Sequence, residues 1–280
     1  MPNTLTRPIH AVIVSAMSAT ALRTALLIAV GAVMLPACSS NQAARDDLSA
    51  GYQSLEQKRS DEAIRQADAF LAKDPTGAGA AEALYLRGRA FEQRTAANPH
   101  DAKANLQSAR SSYIEALNRR PTNEHETNIR TSLANVAFFQ DDYQTALNQF
   151  ATVLPSITVP ETRAWVLYRT GLCQQRLGQF AQADQTFTAV QQQHPGTQFA
   201  QWAKDHAGAR SFYVQLVTFK SAASADKATA ALRREGMEPV RVAAANGFQQ
   251  IRVGPVPSYA QAQSLKTRFA DRYPDAIIVP

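Results

Sequence analysis

Cysteine is the scarcest chemistry in this chain: its 280 residues hold only Cys38 and Cys173. Two thiols cannot make a disulfide framework or a cysteine-rich zinc site. Histidine is nearly as sparse. His10, His100, His125, His194 and His206 are scattered, none with a partner at metal-ligand spacing, and Glu124-His125-Glu126 reads as a solvated loop. No phosphate loop, nucleophile elbow or zinc-protease motif occurs. A glycosidase needs two acids facing one cleft. Here Asp141-Asp142 falls where it favours a turn and caps a helix, and Glu235 and Glu238 lie beside another turn. The expectation is a protein that is not an enzyme, with no cofactor and no metal. Long charged runs are missing too, and glycine is modest at 12 residues. What remains, rich in alanine and glutamine, reads as mostly helical.

The length suits two domains plus a leader. The formal charge of +6 is unevenly spread. Residues 1–37 carry Arg7 and Arg23 and no acid, residues 39–210 balance 18 bases with 18 acids, and residues 211–280 hold 9 bases against 5 acids. The mature excess therefore sits in the C-terminal quarter, which favours anionic or polar polymers without naming one.

The longest apolar stretch, Thr24–Met34, has 11 residues, about half of what crosses a bilayer. Arg23 precedes it and Leu35-Pro36-Ala37-Cys38 ends it, a pattern of secretory signals. Leu-x-Ala-Cys resembles the bacterial lipobox. That resemblance implies removal of residues 1–37 and lipidation of Cys38, whose thiol accepts diacylglycerol while Ala37 is small enough for the peptidase. Several acyl chains, palmitate among them, give stable membrane anchoring. An ordinary signal peptide with an incidental cysteine is the alternative, and Met17 offers a second possible start. Serines and threonines within Ala11–Leu22 oppose a transmembrane anchor. Ser39, where enteric lipoproteins held at the inner membrane carry aspartate, points to the outer membrane.

After a tether completing residues 38–46, small residues and prolines recur at fixed offsets. Gly51, Ala63 and Pro75 are 12 apart, as are Gly171, Ala183 and Pro195. Ala134 and Ala146 repeat the first offset, with Tyr143 and Phe150 matching Phe180 and Phe187. Ala109, Tyr113, Ala116 and Pro121 fit the second half of another copy. Its first half, around Leu84–Gly88, lies early, so Thr95–Lys103 reads as a loop insertion. A two-helix unit of about 34 residues is a solenoid signature. The pattern resembles the tetratricopeptide repeat (TPR), with four units and a capping helix near Thr197–Gly208, across residues 47–208. Small residues let paired helices approach, large ones such as Phe150 and Phe187 fill the next interface, and proline ends the second helix. The copies depart from the pattern at Pro155, three residues early, and at Leu167, where tryptophan is usual. Gly178 sits at a turn, and Cys173 reads as a small packing residue. The resemblance implies a concave groove holding a protein or peptide partner.

From Ser211 the texture changes. Phe212–Phe219 is rich in strand formers. Ala222–Arg234 has helical spacing and Gly236 stops it. Pro239–Ala244 reads as a second strand, Ala245-Asn246-Gly247 as a turn, Phe248–Val253 as a third strand broken by Gly254-Pro255, Ser258–Arg272 as a helix and Ala276–Val279 as a closing strand. The fold class expected is an α + α/β sandwich: a helical solenoid, then an RNP-like βαββαβ domain with two helices on one sheet face. Tyr213-Val214-Gln215-Leu216 with Phe219, and Arg252-Val253-Gly254-Pro255, resemble the SPOR domain family over residues 211–280. SPOR domains bind peptidoglycan glycan strands, chiefly those stripped of stem peptides where cells divide. Val217-Thr218 stands where many relatives have Gly-Ser.

Alternation directs Val214, Leu216, Val240, Val242, Ile251 and Val253 toward the helices. It directs Tyr213, Gln215, Val217, Arg241, Phe248, Gln250 and Arg252 to the open face. Rings suit the apolar faces of pyranoses, and amides and guanidinium groups suit hydroxyl, acetamido and lactyl groups. Tyr213 and Phe248 could instead serve cross-strand packing. The expected function is an envelope lipoprotein facing the periplasm, holding glycan with its last domain and a partner with its repeats at division sites. The alternative is an outer-membrane assembly or transport scaffold in which the repeats are the main part. RNA-recognition modules share the βαββαβ order, but export and the missing aromatic motif on the third strand exclude nucleic acid.

Overall fold

The computed structural model describes residues 48–77, 79–244 and 247–280. The expected leader, Cys38 and the whole tether lie outside the described residues. Among the described residues eight helices form four antiparallel pairs: α1 (48–56) with α2 (Ser60–Lys73), α3 (Ala80–Gln93) with α4 (Pro99–Asn118), α5 (Asn123–Phe139) with α6 (Tyr143–Val153), and α7 (Pro160–Arg176) with α8 (Phe180–Gln193). A ninth, α9 (Gln198–His206), covers the end of the stack. Local chemistry sets the starts. Asn98, Thr122, Asp142 and Thr197 each accept a hydrogen bond from a backbone N–H of the first turn they cap, and Pro99 and Pro160 open their helices. Gly178 turns the chain between α7 and α8 with φ +79°.

The small residues sit where helices cross. An added Cβ on Gly88 would lie 2.4 Å from the Tyr113 ring, and one on Gly171 2.5 Å from the Phe187 ring. Neighbouring pairs also touch first helix to first helix, α3 packing directly on α5. The largest core, with Phe150, Trp165, Tyr168, Phe187 and Phe199, joins the last two pairs to α9.

Two expectations fail here. The loop expected over Thr95–Lys103 covers only Thr95–Asn98: α4 begins at Pro99, so most of the extra residues lengthen a helix. Asn98 and Pro99 form a start signal hidden inside a stretch that looked like filler. Glu124-His125-Glu126 is likewise no loop but the first turn of α5, where the acids complement the helix N-terminus. Early Pro155 falls in a 3-10 turn, Leu154–Ser156, that closes α6. Cys173 is fully buried, and burial pushes its thiol up to about 12, which makes it inert at neutral pH.

His206 ties α9 to α7. Its Nδ1 lies 3.0 Å from Gln175 Oε1, and Gln175 Nε2 donates to its carbonyl at 2.9 Å. Burial, aided by the Arg176 guanidinium, pushes its pKa down to about 4. The unfolded imidazole titrates near about 6.5. Stability held by the neutral ring is therefore complete above that pH and is lost as pH falls toward 4, amounting to about 2–3 kcal/mol. Melting midpoints should drop between pH 7 and pH 5, and His206→Gln should flatten that drop. A variant with an unchanged pH profile would assign the loss elsewhere.

The C-terminal part runs β1 (Phe212–Phe219), α10 (Ala222–Arg234), β2 (Val240–Ala243), β3 (Gln249–Val256), α11 (Tyr259–Arg268), β4 (Ile277–Val279). The strands form one antiparallel sheet in the order β2-β3-β1-β4. Helices α10 and α11 pack on one face around Val214, Leu216, Leu232, Ile251 and Phe269. Ser221 and Ser258 cap them. Gly254-Pro255 does not end β3. The strand runs through it with an irregular register against β1 and a cis Gly254–Pro255 peptide. A Cβ on Gly254 would meet the Phe212 carbonyl oxygen at 2.9 Å, so only glycine fits.

The two parts meet through side chains. Tyr259 of α11 stands edge-on to Tyr143 and Phe212, at centroid distances of 5.4 and 5.5 Å. The Arg176 guanidinium lies 4.4, 4.9 and 4.6 Å from the ring centroids of Phe138, Tyr143 and Tyr259. Gln263 Nε2 donates to Asp141 at 2.8 Å, and Asp184 receives the Gly208 N–H and the Arg210 guanidinium.

Candidate functional site: the open face of the sheet

Directly opposed residues of an antiparallel pair share a face, so the register assigns each side chain. Gln215 faces Arg252 across β1 and β3, and Ile277 across β1 and β4. Tyr213 pairs with Val279, and Thr218 with Gln250. The open face therefore carries Tyr213, Gln215, Thr218, Gln250, Arg252, Ile277 and Val279. Phe248 stands at its border, two residues before Gln250, with the Lys220 ammonium 5.9 Å from its ring.

Two expected members are absent. Val217 pairs with Ile251 and packs into the core. A bulge between Gln215 and Val217 puts Leu216 and Val217 on the helix side together, and Thr218 takes the open position. Arg241 also pairs with Ile251. It reaches around the sheet edge to Asp226 of α10 at 2.6 Å and to Gln249 Oε1 at 2.8 Å. Val240 and Val242, expected among the helices, oppose Arg252 and Gln250 on the open face, and Val240 is 39 % exposed. Pro239, itself buried, takes the inward place before the strand and shifts its parity by one.

Arg252 is the centre of the face. Its Nη2 donates to Gln250 Oε1 at 2.8 Å, while its Nε is enclosed without a partner among the described residues. Burial lowers its pKa, opposed by nearby Tyr213. Gln215 Nε2 donates to Thr218 Oγ1 at 3.4 Å. None of the four strands contains an aspartate or glutamate, so no strand carboxylate meets the guanidinium. Amides, a hydroxyl, a phenol and one cation among aliphatic side chains can bond a polar polymer and cover its apolar faces. Such a surface has no acid–base pair with which to cut it. Among the described residues no group of histidine, cysteine or acidic side chains is placed to hold a metal.

A family model for the SPOR domain matches residues 208–280. The C-terminal sheet is a SPOR domain. A tetratricopeptide-repeat model matches residues 165–197, the α7–α8 pair. No curated protein matches the chain in sequence. Among solved structures, a tetratricopeptide repeat protein from Parabacteroides merdae is 20 % identical, covering 60 % of this chain and 58 % of its own, with a TM-score of 0.46. Pseudomonas aeruginosa pilF is 18 % identical over 56 % of this chain and 64 % of its own, with a TM-score of 0.44. The MamA protein is 18 % identical over 59 % and 81 %, also with a TM-score of 0.44. The chain thus spans less than two thirds of the first two. SPOR is a peptidoglycan-binding family found in bacterial envelope proteins, and TPRs are protein-interaction repeats, so the general role is binding and no enzyme family is indicated. Among the described residues no helix is long and apolar enough to cross a membrane.

Proposed function

We propose that this chain is an envelope lipoprotein, anchored through Cys38 in the outer membrane and facing the periplasm. Its SPOR domain holds glycan strands at division sites, and its repeats hold a protein partner there. The observation that carries the glycan reading is the single guanidinium of Arg252, unopposed by strand carboxylates and set among Tyr213, Gln215 and Gln250. Sugars offer acceptor oxygens to the open-face amides and guanidinium and flat apolar faces to Tyr213. Stem peptides would crowd a face this flat, which favours stripped strands.

Sedimentation of the full chain in detergent with sacculi, before and after amidase treatment, tests the reading. Pelleting should rise after amidase. The double variant Gln215→Ala, Gln250→Ala should reduce it roughly tenfold, the equivalent of one or two lost hydrogen bonds. No pelleting in either condition would sink the glycan reading. Pelleting untouched by the double variant would move the site off this face.

A further inference from the structure

Tyr259 of α11 packs against two cores at once. Its ring lies edge-on to Tyr143 beside the core of the last two pairs, and edge-on to Phe212 within the core of the sheet. From the repeat side, Phe180 at the start of α8 reaches into the same sheet core, with its ring centroid 5.9 Å from that of Phe212. The apolar interior therefore runs from the repeats into the C-terminal domain without a break.

A chain of polar contacts crosses the same junction. The Arg176 guanidinium donates to the Tyr143 hydroxyl at 2.9 Å, and that hydroxyl donates to the Asp141 carboxylate. The other Asp141 oxygen accepts from Gln263 Nε2 of α11 at 2.8 Å. Asp141 holds its place in an unfavourable backbone. It sits in the α5–α6 turn at φ +60°, the left-handed region that suits glycine, and glycine stands at the α7–α8 turn, where Gly178 has φ +79°. Its neighbour Asp142 is the residue that caps α6, by accepting the Thr145 N–H. The Asp141 carboxylate is thus left for Tyr143 and Gln263.

These contacts all reach the helix-covered side of the sheet, where α11 and Phe212 lie. The connecting segment is held as well, its Gly208 N–H and Arg210 guanidinium both on Asp184 of α8. The open face is left turned away from the repeats.

We infer that α11 is a latch. Through Tyr259 and Gln263 it locks the SPOR domain to the last two repeats as one cooperative unit, in a single orientation that keeps the open face outward. Neither the latch nor its test depends on what the open face binds.

Hydrogen exchange of the full chain in detergent tests it, each change being made in one part and read in the other. Asp141→Gly removes the carboxylate and relieves the turn, so a role in the turn alone predicts exchange unchanged or slower. The latch predicts that the α11 and β1 amides exchange roughly three- to tenfold faster, the scale of one lost hydrogen bond. Tyr259→Ala, made in the C-terminal domain, should speed the α6 and α7 amides about tenfold, the scale of a lost aromatic contact. Both effects together would establish the latch. Silence across the junction from either variant would overturn it, the two parts then opening independently.

Discussion

Gly171→Val should lower stability by about 3 kcal/mol, the upper range for forcing atoms into a packed interior. The Cβ alone would sit 2.5 and 2.7 Å from Phe187 Cε1 and Cδ1, before the two valine methyls are counted. The phenyl ring cannot step aside. It is fully buried, with Tyr168 at 6.1 Å and His206 at 5.7 Å between ring centroids, and α9 closes the stack beyond them. Urea denaturation should show a lower midpoint with the slope unchanged. Gly171→Ala paired with Phe187→Leu should recover most of the loss, because the ring that blocks the Cβ is gone. A midpoint equal to wild type for Gly171→Val would mean that α7 and α8 stand farther apart than described.

Arg252→Ala should weaken retention on amidase-treated sacculi by roughly 10- to 100-fold, the range for losing hydrogen bonds made by a charged group. Arg252→Lys should restore only part of it, since an ammonium keeps the charge but lacks the planar fork. The same change should cost little stability. Among the described residues the guanidinium donates to the Gln250 side chain alone, and its Nε has no partner. Binding lost without stability lost distinguishes a ligand contact from a packing role. The opposite pattern, a lower melting midpoint with retention intact, would count against the open face as the site.

What was legible followed from chemistry that acts within one or two helical turns. Offsets of 12 between small residues reported the crossings at Gly51, Gly171 and Ala183, because only a small residue admits the neighbouring helix. Ala222–Arg234 and the strand β1 stood out by composition, and four positions of the open face, Tyr213, Gln215, Gln250 and Arg252, followed from alternation alone. What escaped depends on pairing across the sheet. The bulge after Gln215 and the inward placement of Pro239 each shift parity by one residue, and neither leaves a local mark in Val217-Thr218 or Val240-Arg241-Val242. In a four-residue edge strand, valines on either side of an arginine read equally well in both orientations.

The junction at Tyr259 has a mechanical meaning. The connection from Ala207 to Ser211 is short, but it is not the element that transmits force. Arg176, gripped by rings from both parts, and the Gln263–Asp141 bond join α11 to α7 and to the α5–α6 turn. A sideways pull on the sheet would thereby reach the last two repeats as a torque, with α11 as the lever arm. The angle between sheet and solenoid is consequently held by a few side chains, and a load on one part arrives at α7 through Arg176.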